Sequence, residues 1–324
     1  MSETEKAKPN TGKREGQLVG RYLDLQFKVP NKETGPRFNV DWKITFTISK
    51  AASADFLSFN TAEISIYNMT AQTVSLLSQR GITVRLDAGY EALHGVIFSG
   101  VVNNVTTTKR GADIVTTFYC TSDTFEYSKP IEKTVQNVSV TDLIKNLCDG
   151  IGASYKIFVN RKDVVKSSYS GTFSKVLAMI CADFGIVCSL DNGFLSFTDR
   201  NITTEQAAKL TQMTFTPETG MIGNPQVTET GVTFRNLITP KLMVNDIFSL
   251  YAKYAEYNLN ELTRTPNKVL GGELNAFAFL DTQNYNGNYM AMSLKFNGDT
   301  RGNAWFIEVQ GSRIWNKREY GSTK

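Results

Sequence analysis

The strongest constraint on the fold is a two-residue alternation of apolar and polar side chains between Asn60 and Cys120. Ala62, Ile64 and Ile66 alternate with polar neighbours, and the same period returns from Ile82 to Ala88. Such a period places one face of a strand on a core and the other face in solvent. This part of the chain is therefore predicted to be an antiparallel β-module.

Turn and cap residues separate these strands. Asn68 is predicted to end one strand, Thr70 to begin a short helix, and Gly81 to end that helix. Gly89 and Tyr90 are predicted to open a loop to the next strand, which begins at residue 96. Many short strands with such turns are typical of a barrel or a sandwich. Further strands or turns are predicted at Tyr22 to Val29, Trp42 to Ser49 and Lys109 to Gly111.

The pattern changes to a helical period after residue 129. Apolar residues from Val140 to Cys148 fall on one helical face behind Ser139, and a second apolar stripe runs from Phe173 to Phe184. Asp191 to Gly193 is predicted to form a hairpin turn between two strands. The segment 129–212 is therefore predicted to be a small α+β domain. Two helical units of unequal length are weak evidence for the alternative, a tandem repeat.

Strands dominate again after residue 212. Between Asn258 and Asn288 the sequence shows no clear period, which is typical of a functional loop or an insertion. The strands are predicted at Met213 to Thr216, Val227 to Phe234, Asp246 to Tyr254, Tyr289 to Phe296 and Ala304 to Val309.

The length of 324 residues predicts two or three domains. We divide the chain into a flexible polar tail at 1–17, a β domain at 18–128, the α+β domain at 129–212, and a second β domain at 213–324 with an irregular insertion at 258–288. The net charge of +4 comes from basic residues that are spread along the chain. A dedicated nucleic-acid binder would carry a basic stripe instead. The sequence lacks a signal peptide and a long apolar run, so we expect folding in a cytoplasm without membrane insertion.

Histidine, a common general base and metal ligand, is scarce, whereas the 31 acidic residues leave paired carboxylates for glycoside hydrolysis possible. His94 is the single histidine, and we interpret it as an exposed loop residue rather than a general base. Asp191 with Asp199 could bind a hard cation, but turns use aspartate for backbone reasons. Gly271 and Gly272 lack the lysine and hydroxyl residue that complete a phosphate loop. We therefore predict no catalytic, cofactor-binding or metal-binding residues.

Cysteine and tryptophan patterns indicate packing rather than chemistry. Cys120, Cys148, Cys181 and Cys188 lack the spacing of a zinc site, so buried thiols are expected. Aromatic residues could form a sugar-binding platform, although core packing is the favoured interpretation. The tryptophans are Trp42, Trp305 and Trp315.

Several short motifs follow one another in a family-specific order. They are NTAEISIYN at Asn60 to Asn68, DAGY at Asp87 to Tyr90, IFSGV at Ile97 to Val101, YSGTFSKVL at Tyr169 to Leu177, DNGFLSF at Asp191 to Phe197, TETGVTFRNLITPK at Thr228 to Lys241, and NGDTR at Asn297 to Arg301 with Ala304 and Trp305. In this order the chain resembles the baseplate hub proteins of contractile-tailed bacteriophages, in particular the Mu-like and related myophage hub family. Each motif alone is weak, whereas their colinearity is fairly specific.

The resemblance implies a structural virion protein that is not an enzyme and uses no cofactor. The implied fold is mainly β with an α+β insert, in which two tail-tube-like antiparallel β-barrel domains flank the small α+β domain. The implied assembly is a homotrimer whose six barrels join the sixfold tail tube to the threefold central spike. DNA would pass through the ring without sequence-specific binding.

The implied partners are the tail tube protein, the central spike protein, other baseplate proteins and the tape-measure protein. The implied location is the baseplate of the virion tail, after assembly in the host cytoplasm. Two other functions stay open at this point. The chain could be a carbohydrate-binding protein of the baseplate periphery or a glycan-cleaving tail enzyme.

Overall fold

The computed structural model describes residues 20–52, 60–122, 128–159, 163–200, 202–211, 213–228, 231–257 and 285–314. The chain is mainly β in these ranges, as the sequence predicted. The first part contains β1 Arg21–Lys28, β2 Arg37–Asn39, β3 Ile44–Ala51, β4 Thr61–Tyr67, α1 Ala71–Leu77, β5 Thr83–Tyr90, β6 Leu93–Arg110 and β7 Asp113–Thr121. The middle part contains β8 Pro130–Ser139, α2 Val140–Ile151, β9 Ser154–Ile157, β10 Val164–Thr172, α3 Phe173–Asp183, β11 Ile186–Asp191, β12 Phe194–Asp199 and α4 Thr204–Leu210. The last part contains β13 Met213–Phe215, β14 Met221–Val227, β15 Gly231–Leu237, β16 Ile247–Leu250, β17 Glu256–Tyr257, β18 Gly287–Asp299 and β19 Trp305–Arg313.

One large sheet joins the first and last parts of the chain. In the described ranges its hydrogen-bonded order is β17-β14-β15-β19-β18-β3-β4-β7-β6-β5-β1-β2, with β16 and β13 branching from β18. The joint is the antiparallel pairing of β18 with β3, in which Phe296 lies opposite Ile48. Most neighbours are antiparallel, which confirms the mainly β, antiparallel part of the predicted fold class. The path of these strands does not close on itself, so the two closed barrels stay a prediction.

The sheet instead curves, and side-chain hydrogen bonds connect strands that are distant from each other in the sheet order. Arg21 on β1 donates hydrogen bonds of 2.7 Å and 2.6 Å to the carbonyl oxygens of Asp299 and Gly302. The indole of Trp305 on β19 donates to the carbonyl of Gly89 on β5 at 2.9 Å. Strands far apart in the sheet order are therefore held together without a ladder of backbone bonds.

The alternation read in the sequence produces the main core. Ile44, Phe46 and Ile48 on β3 are buried, and so are Leu294 and Phe296 on β18. These residues belong to one continuous cluster that both β regions share. Burial of apolar side chains on one face of each strand is thus the main force that joins the two regions.

The middle of the chain packs around a separate core. The buried residues run from Val135 to Phe197 and include both predicted helical stripes. Helix α2 begins at the cap Ser139, whose hydroxyl accepts from Asp142 N, and ends at Gly152 in the left-handed region. Around the helices lie the ribbon of β8 and β10 and the three-stranded sheet β11-β12-β9. We call this part the insert.

Several local predictions are confirmed and others are wrong. Asn68 adopts a φ of 57° after β4, and Gly111 adopts 62° in the hairpin between β6 and β7, as expected for those turns. The predicted loop at Gly89 and Tyr90 is wrong, because β5 continues through both residues into a tight turn. The predicted strand from 227 to 234 is also wrong, since it spans the end of β14 and the start of β15.

Some predicted features lie outside the described ranges. These are the tail at 1–17, the pair Gly271 and Gly272, most of the insertion at 258–288, and Trp315. Among the helices that the structure describes, none combines the length and apolar character needed to cross a membrane.

Candidate functional site

One face of the main sheet is polar and carries mostly hydroxyl and amide side chains. Its central row is regular, because Thr47 on β3 lies between Glu63 on β4 and Asn297 on β18. An open depression of about 270 Å³ lies over this row. We call this surface the polar face. On β3, β4, β7 and β18 it consists of Thr45, Thr47, Ser49, Thr61, Glu63, Ser65, Thr117, Tyr119, Thr121, Lys295, Asn297 and Asp299.

The charges on the polar face nearly cancel. Lys295 lies opposite Glu308, and Glu308 also pairs with Arg235 at 3.1 Å between Oε2 and Nε. The side chains of Arg235 and Glu308 are 57% and 35% exposed, so this pair contributes little stability. Glu63 and Asp299 are the further acidic residues of these rows. A polyanion would therefore meet no basic stripe on this part of the sheet.

The outer edge of β6 is open over its second half. Pairing of β6 with β5 ends where Val101 lies opposite Thr83, and the next N–H, of Val102, donates to Ile82. Over residues 103–110 no strand in the described part of the chain covers this edge. The other free ends of the sheet, β2, β13 and β17, are short. Long open edges are templates for pairing with another chain.

The direction of the free backbone groups follows from one contact. The N–H of Val105 donates to the side-chain oxygen of Asn104 at 2.9 Å, so it points away from β7. Because N–H directions alternate along a strand, those of Thr107 and Lys109 share this outward direction. The N–H of Thr106 points back to β7, where Thr106 lies opposite Thr117.

A buried ion pair fastens the insert to the main sheet. Lys50 on β3 lies 2.5 Å from Asp191 at the end of β11, measured from Nζ to Oδ1. Their side chains are only 2% and 3% exposed. Lys50 Nζ also lies 5.4 Å from the centre of the Phe296 ring. The second carboxylate oxygen, Oδ2 of Asp191, has no hydrogen-bond partner among the described residues.

Side-chain to backbone hydrogen bonds surround this ion pair. Asn60 donates to the carbonyl of Leu190 at 2.7 Å, and Asn192 donates to the carbonyl of Val96 at 2.9 Å. Ser189 donates to the carbonyl of Val244 at 3.2 Å. Around the β11–β12 turn the insert thus meets the sheet through polar contacts. Helix α4 adds a small apolar cluster, in which Ala207 packs with Ile247 and Met290 of the sheet region.

A second carboxyl group is buried next to this junction. Asp246 is 6% exposed and accepts a hydrogen bond from the backbone N–H of Met243 at 2.8 Å. Burial raises the pKa of Asp246 to about 6, although the Met243 bond and the charge of Lys156 oppose this change. The negative charge of Asp191 raises the pKa further.

The residues suggested by the sequence as possible sites are not brought together. His94 lies on β6 and not in a loop; its ring stacks on Tyr22, and its Nδ1 lies 3.0 Å from Asp87 Oδ1. Asp191 and Asp199 stand at opposite ends of the β11–β12 hairpin, about 17 Å apart at the usual strand rise. In the described ranges no three His, Cys, Asp or Glu residues form a group that could hold a metal ion.

The cysteines and the tryptophans differ in how deeply they are buried. All four cysteines are buried as free thiols, as the sequence predicted. Trp305 is a core residue at 2% exposure, whereas Trp42 is 38% exposed and packs edge-on against Phe38. Trp42 and Trp305 therefore do not form a shared sugar-binding platform.

The alternation in the sequence indicates that Lys50 is buried, although it does not indicate the partner of Lys50. Ile44, Phe46, Ile48 and Lys50 occupy successive inward positions of β3, so the alternation itself places a lysine on the core face. A charged residue at such a position requires a buried partner. Nothing local in the sequence indicates that the partner is Asp191.

Comparison with known protein families shows the family to which this chain belongs. A family model described as baseplate hub gp41 matches residues 23–255. The chain belongs to this baseplate hub family. As a hub protein it is a structural component of the phage tail baseplate and not an enzyme. No curated protein sequence matches it.

Solved structures show the same fold as the hub protein. The 43 kDa tail protein of prophage MuSo2 from Shewanella oneidensis superposes with a TM-score of 0.54 at 10% identity, over 91% of this chain and 97% of the other. The tail protein from Neisseria meningitidis MC58 gives a TM-score of 0.53 at 10% identity, over 92% and 98%. The phage-tail fold therefore extends over nearly the whole hub protein.

Proposed function

We propose that this hub protein assembles as a trimeric ring that joins the sixfold tail tube to the threefold central spike. Its two β regions would supply six similar units in three copies, which matches a sixfold partner on one side of the ring. The observation that carries the proposal is the pairing of β18 with β3, which fixes both regions in one sheet. A rigid link of this kind keeps the two units of each copy at a constant spacing.

The domain division of the sequence fits this arrangement. The regions 18–128 and 213–324 would each form a tube-like barrel, and the insert at 129–212 would be attached to them through the junction around Lys50 and Asp191. The side-chain bonds of Arg21 and Trp305 support a barrel-like shape in which strands of the second unit lie against the first unit.

The polar face is proposed to line the channel through which DNA passes. Hydroxyl and amide groups are readily hydrated, and the cancelling charges of Lys295, Arg235, Glu63, Asp299 and Glu308 give the phosphate backbone no strong binding site. DNA could then move through the ring without sequence-specific binding. The tape-measure protein would occupy the same channel before DNA release.

Neighbouring copies are proposed to meet at open strand edges, because a closed ring requires heterologous contacts. The open half of β6 is one such edge of the main sheet in the described part of the chain. The tail tube protein, the central spike protein and other baseplate proteins would bind the faces of the completed ring. Assembly would take place in the host cytoplasm.

The test measures molecular mass by light scattering, for the purified protein alone and together with its spike protein. We expect a trimer in at least the mixture. If both proteins together leave the chain monomeric, the ring proposal is wrong.

A proline substitution tests the edge separately. Thr107→Pro removes an outward N–H, so we expect a folded monomer that no longer assembles. Thr107→Ala keeps that N–H and should assemble normally, whereas Thr106→Pro should weaken the fold because its N–H bonds to β7. Normal assembly of Thr107→Pro would show that the ring does not use this edge.

A further inference from the structure

A narrow cavity lies where β12 and α4 of the insert meet the main sheet. Thr198 and Phe158 line it from the insert, Asn245 and Ile247 from the segment that leads into β16, and Leu210 from the end of α4. The space open to the centre of a water molecule is about 10 Å³, which is close to what one water requires. Asp246 completes the wall.

Two buried polar side chains at this cavity have no hydrogen-bond partner among the described residues. Thr198 and Asn245 are each 1% exposed. The hydroxyl of Thr198 and both polar atoms of the Asn245 amide make no hydrogen bond to any residue that the structure describes. Buried polar groups are almost always satisfied, by protein or by ordered water, because an unpaired group costs free energy.

The backbone holds Asn245 firmly in this position. Its φ is 72°, a left-handed conformation that asparagine tolerates better than most residues. Its N–H donates to the carbonyl of Ala291 at 2.8 Å, and the following residue, Asp246, accepts from the N–H of Ala291 at 2.9 Å. Strand β18 therefore anchors the backbone on both sides of the Asn245 side chain.

We infer that this cavity is a binding site for one water molecule, which bridges Thr198 of the insert and Asn245 of the sheet region. The amide offers one donor group and one acceptor group, and the hydroxyl can act as either. Water is a small ligand that both donates and accepts. A cation would be repelled by the amide N–H groups, and an anion by the amide oxygen and the Asp246 carboxylate.

This water completes the polar junction described above. The Lys50–Asp191 ion pair and the Ser189 bond fasten the β11 side of the hairpin, and the bridge from Thr198 would fasten β12. The insert would then contact the sheet by direct and water-mediated polar bonds on both strands of one hairpin.

The direct test is nuclear magnetic resonance on the full chain. Exchange-corrected cross-relaxation between water and the side-chain amide of Asn245 is expected in the wild-type protein and in Thr198→Ser, which keeps the hydroxyl. Its absence in the wild-type protein would overturn the inference.

The sign of a stability change gives a second test. Thr198→Val keeps the shape of the side chain but removes a water partner, so we expect the folding equilibrium constant to fall by about fivefold. If the cavity is dry, the Thr198 hydroxyl has no hydrogen-bond partner and destabilises the folded state. Removing the hydroxyl should then leave the stability unchanged or increase it. Unchanged or increased stability of Thr198→Val would therefore overturn the water site.

Discussion

Replacing Lys50 with methionine should strongly destabilise the folded state of the hub protein. The substitution keeps the length of the side chain and its apolar contacts, but it leaves the Asp191 carboxylate without its cation. That carboxylate is 3% exposed, and one of its oxygens already lacks a partner in the described structure. Breaking a buried pair in this way costs about 3–5 kcal/mol. A single domain is stable by only about 5–15 kcal/mol, so the loss is severe.

The assay is urea unfolding, followed by circular dichroism and by tryptophan fluorescence. Lys295→Met is the matched control, because Lys295 lies on the neighbouring strand β18 and is exposed. This control should change the free energy of unfolding by less than about 0.5 kcal/mol. Agreement between the two probes establishes whether the insert and the sheet unfold together.

A double variant separates the ion pair from general packing. Lys50→Met with Asp191→Leu removes both charges, and replacing a buried pair by apolar residues is often neutral or stabilising. We therefore expect most of the lost stability to return. The reasoning is refuted if Lys50→Met costs less than about 1 kcal/mol, or if the two substitutions simply add their separate costs.

Two further predictions concern titratable groups. The pKa of Asp246 rises from 3.8 to about 6 on burial, so its contribution to stability is present below pH 3.8 and is lost as the pH rises through 6. We compare the free energy of unfolding of Asp246→Asn with that of the wild-type protein. The variant should gain stability relative to the wild-type protein between pH 4 and pH 6, by at most about 3 kcal/mol. A difference that stays constant over this range contradicts the prediction. Burial also raises the pKa of Cys120 and of Cys148 to about 12. A thiol reagent should therefore label neither of these two residues until the protein unfolds, and rapid labelling of either one in the native protein contradicts this.

The sequence predicted the features that depend on neighbouring residues. The alternation in β4, the left-handed Asn68 and the cap Ser139 are each determined within a few positions, and the structure contains all three. The ribbon strands β8 and β10 were not predicted, because most of their side chains are exposed and give no apolar period.

The contacts between distant parts of the chain could not be read in the same way. Pairing of β3 with β18 and of Lys50 with Asp191 depends on the whole fold, and no local rule selects those partners. The polar face follows from alternation once the strand order is known. The open edge of β6 depends on where β5 begins, which sequence patterns locate only to within a few residues.

The link between β3 and β18 also sets an order of events during synthesis. Ile44 and Thr300 are hydrogen-bonded although they lie 256 residues apart in the chain. Until β18 leaves the ribosome, β3 has no partner on that side, while the insert already possesses every residue of its own core. The central module can therefore fold early, and the main sheet must wait for the last strands. During that wait the unpaired side of β3 is a place where premature association with other chains can begin.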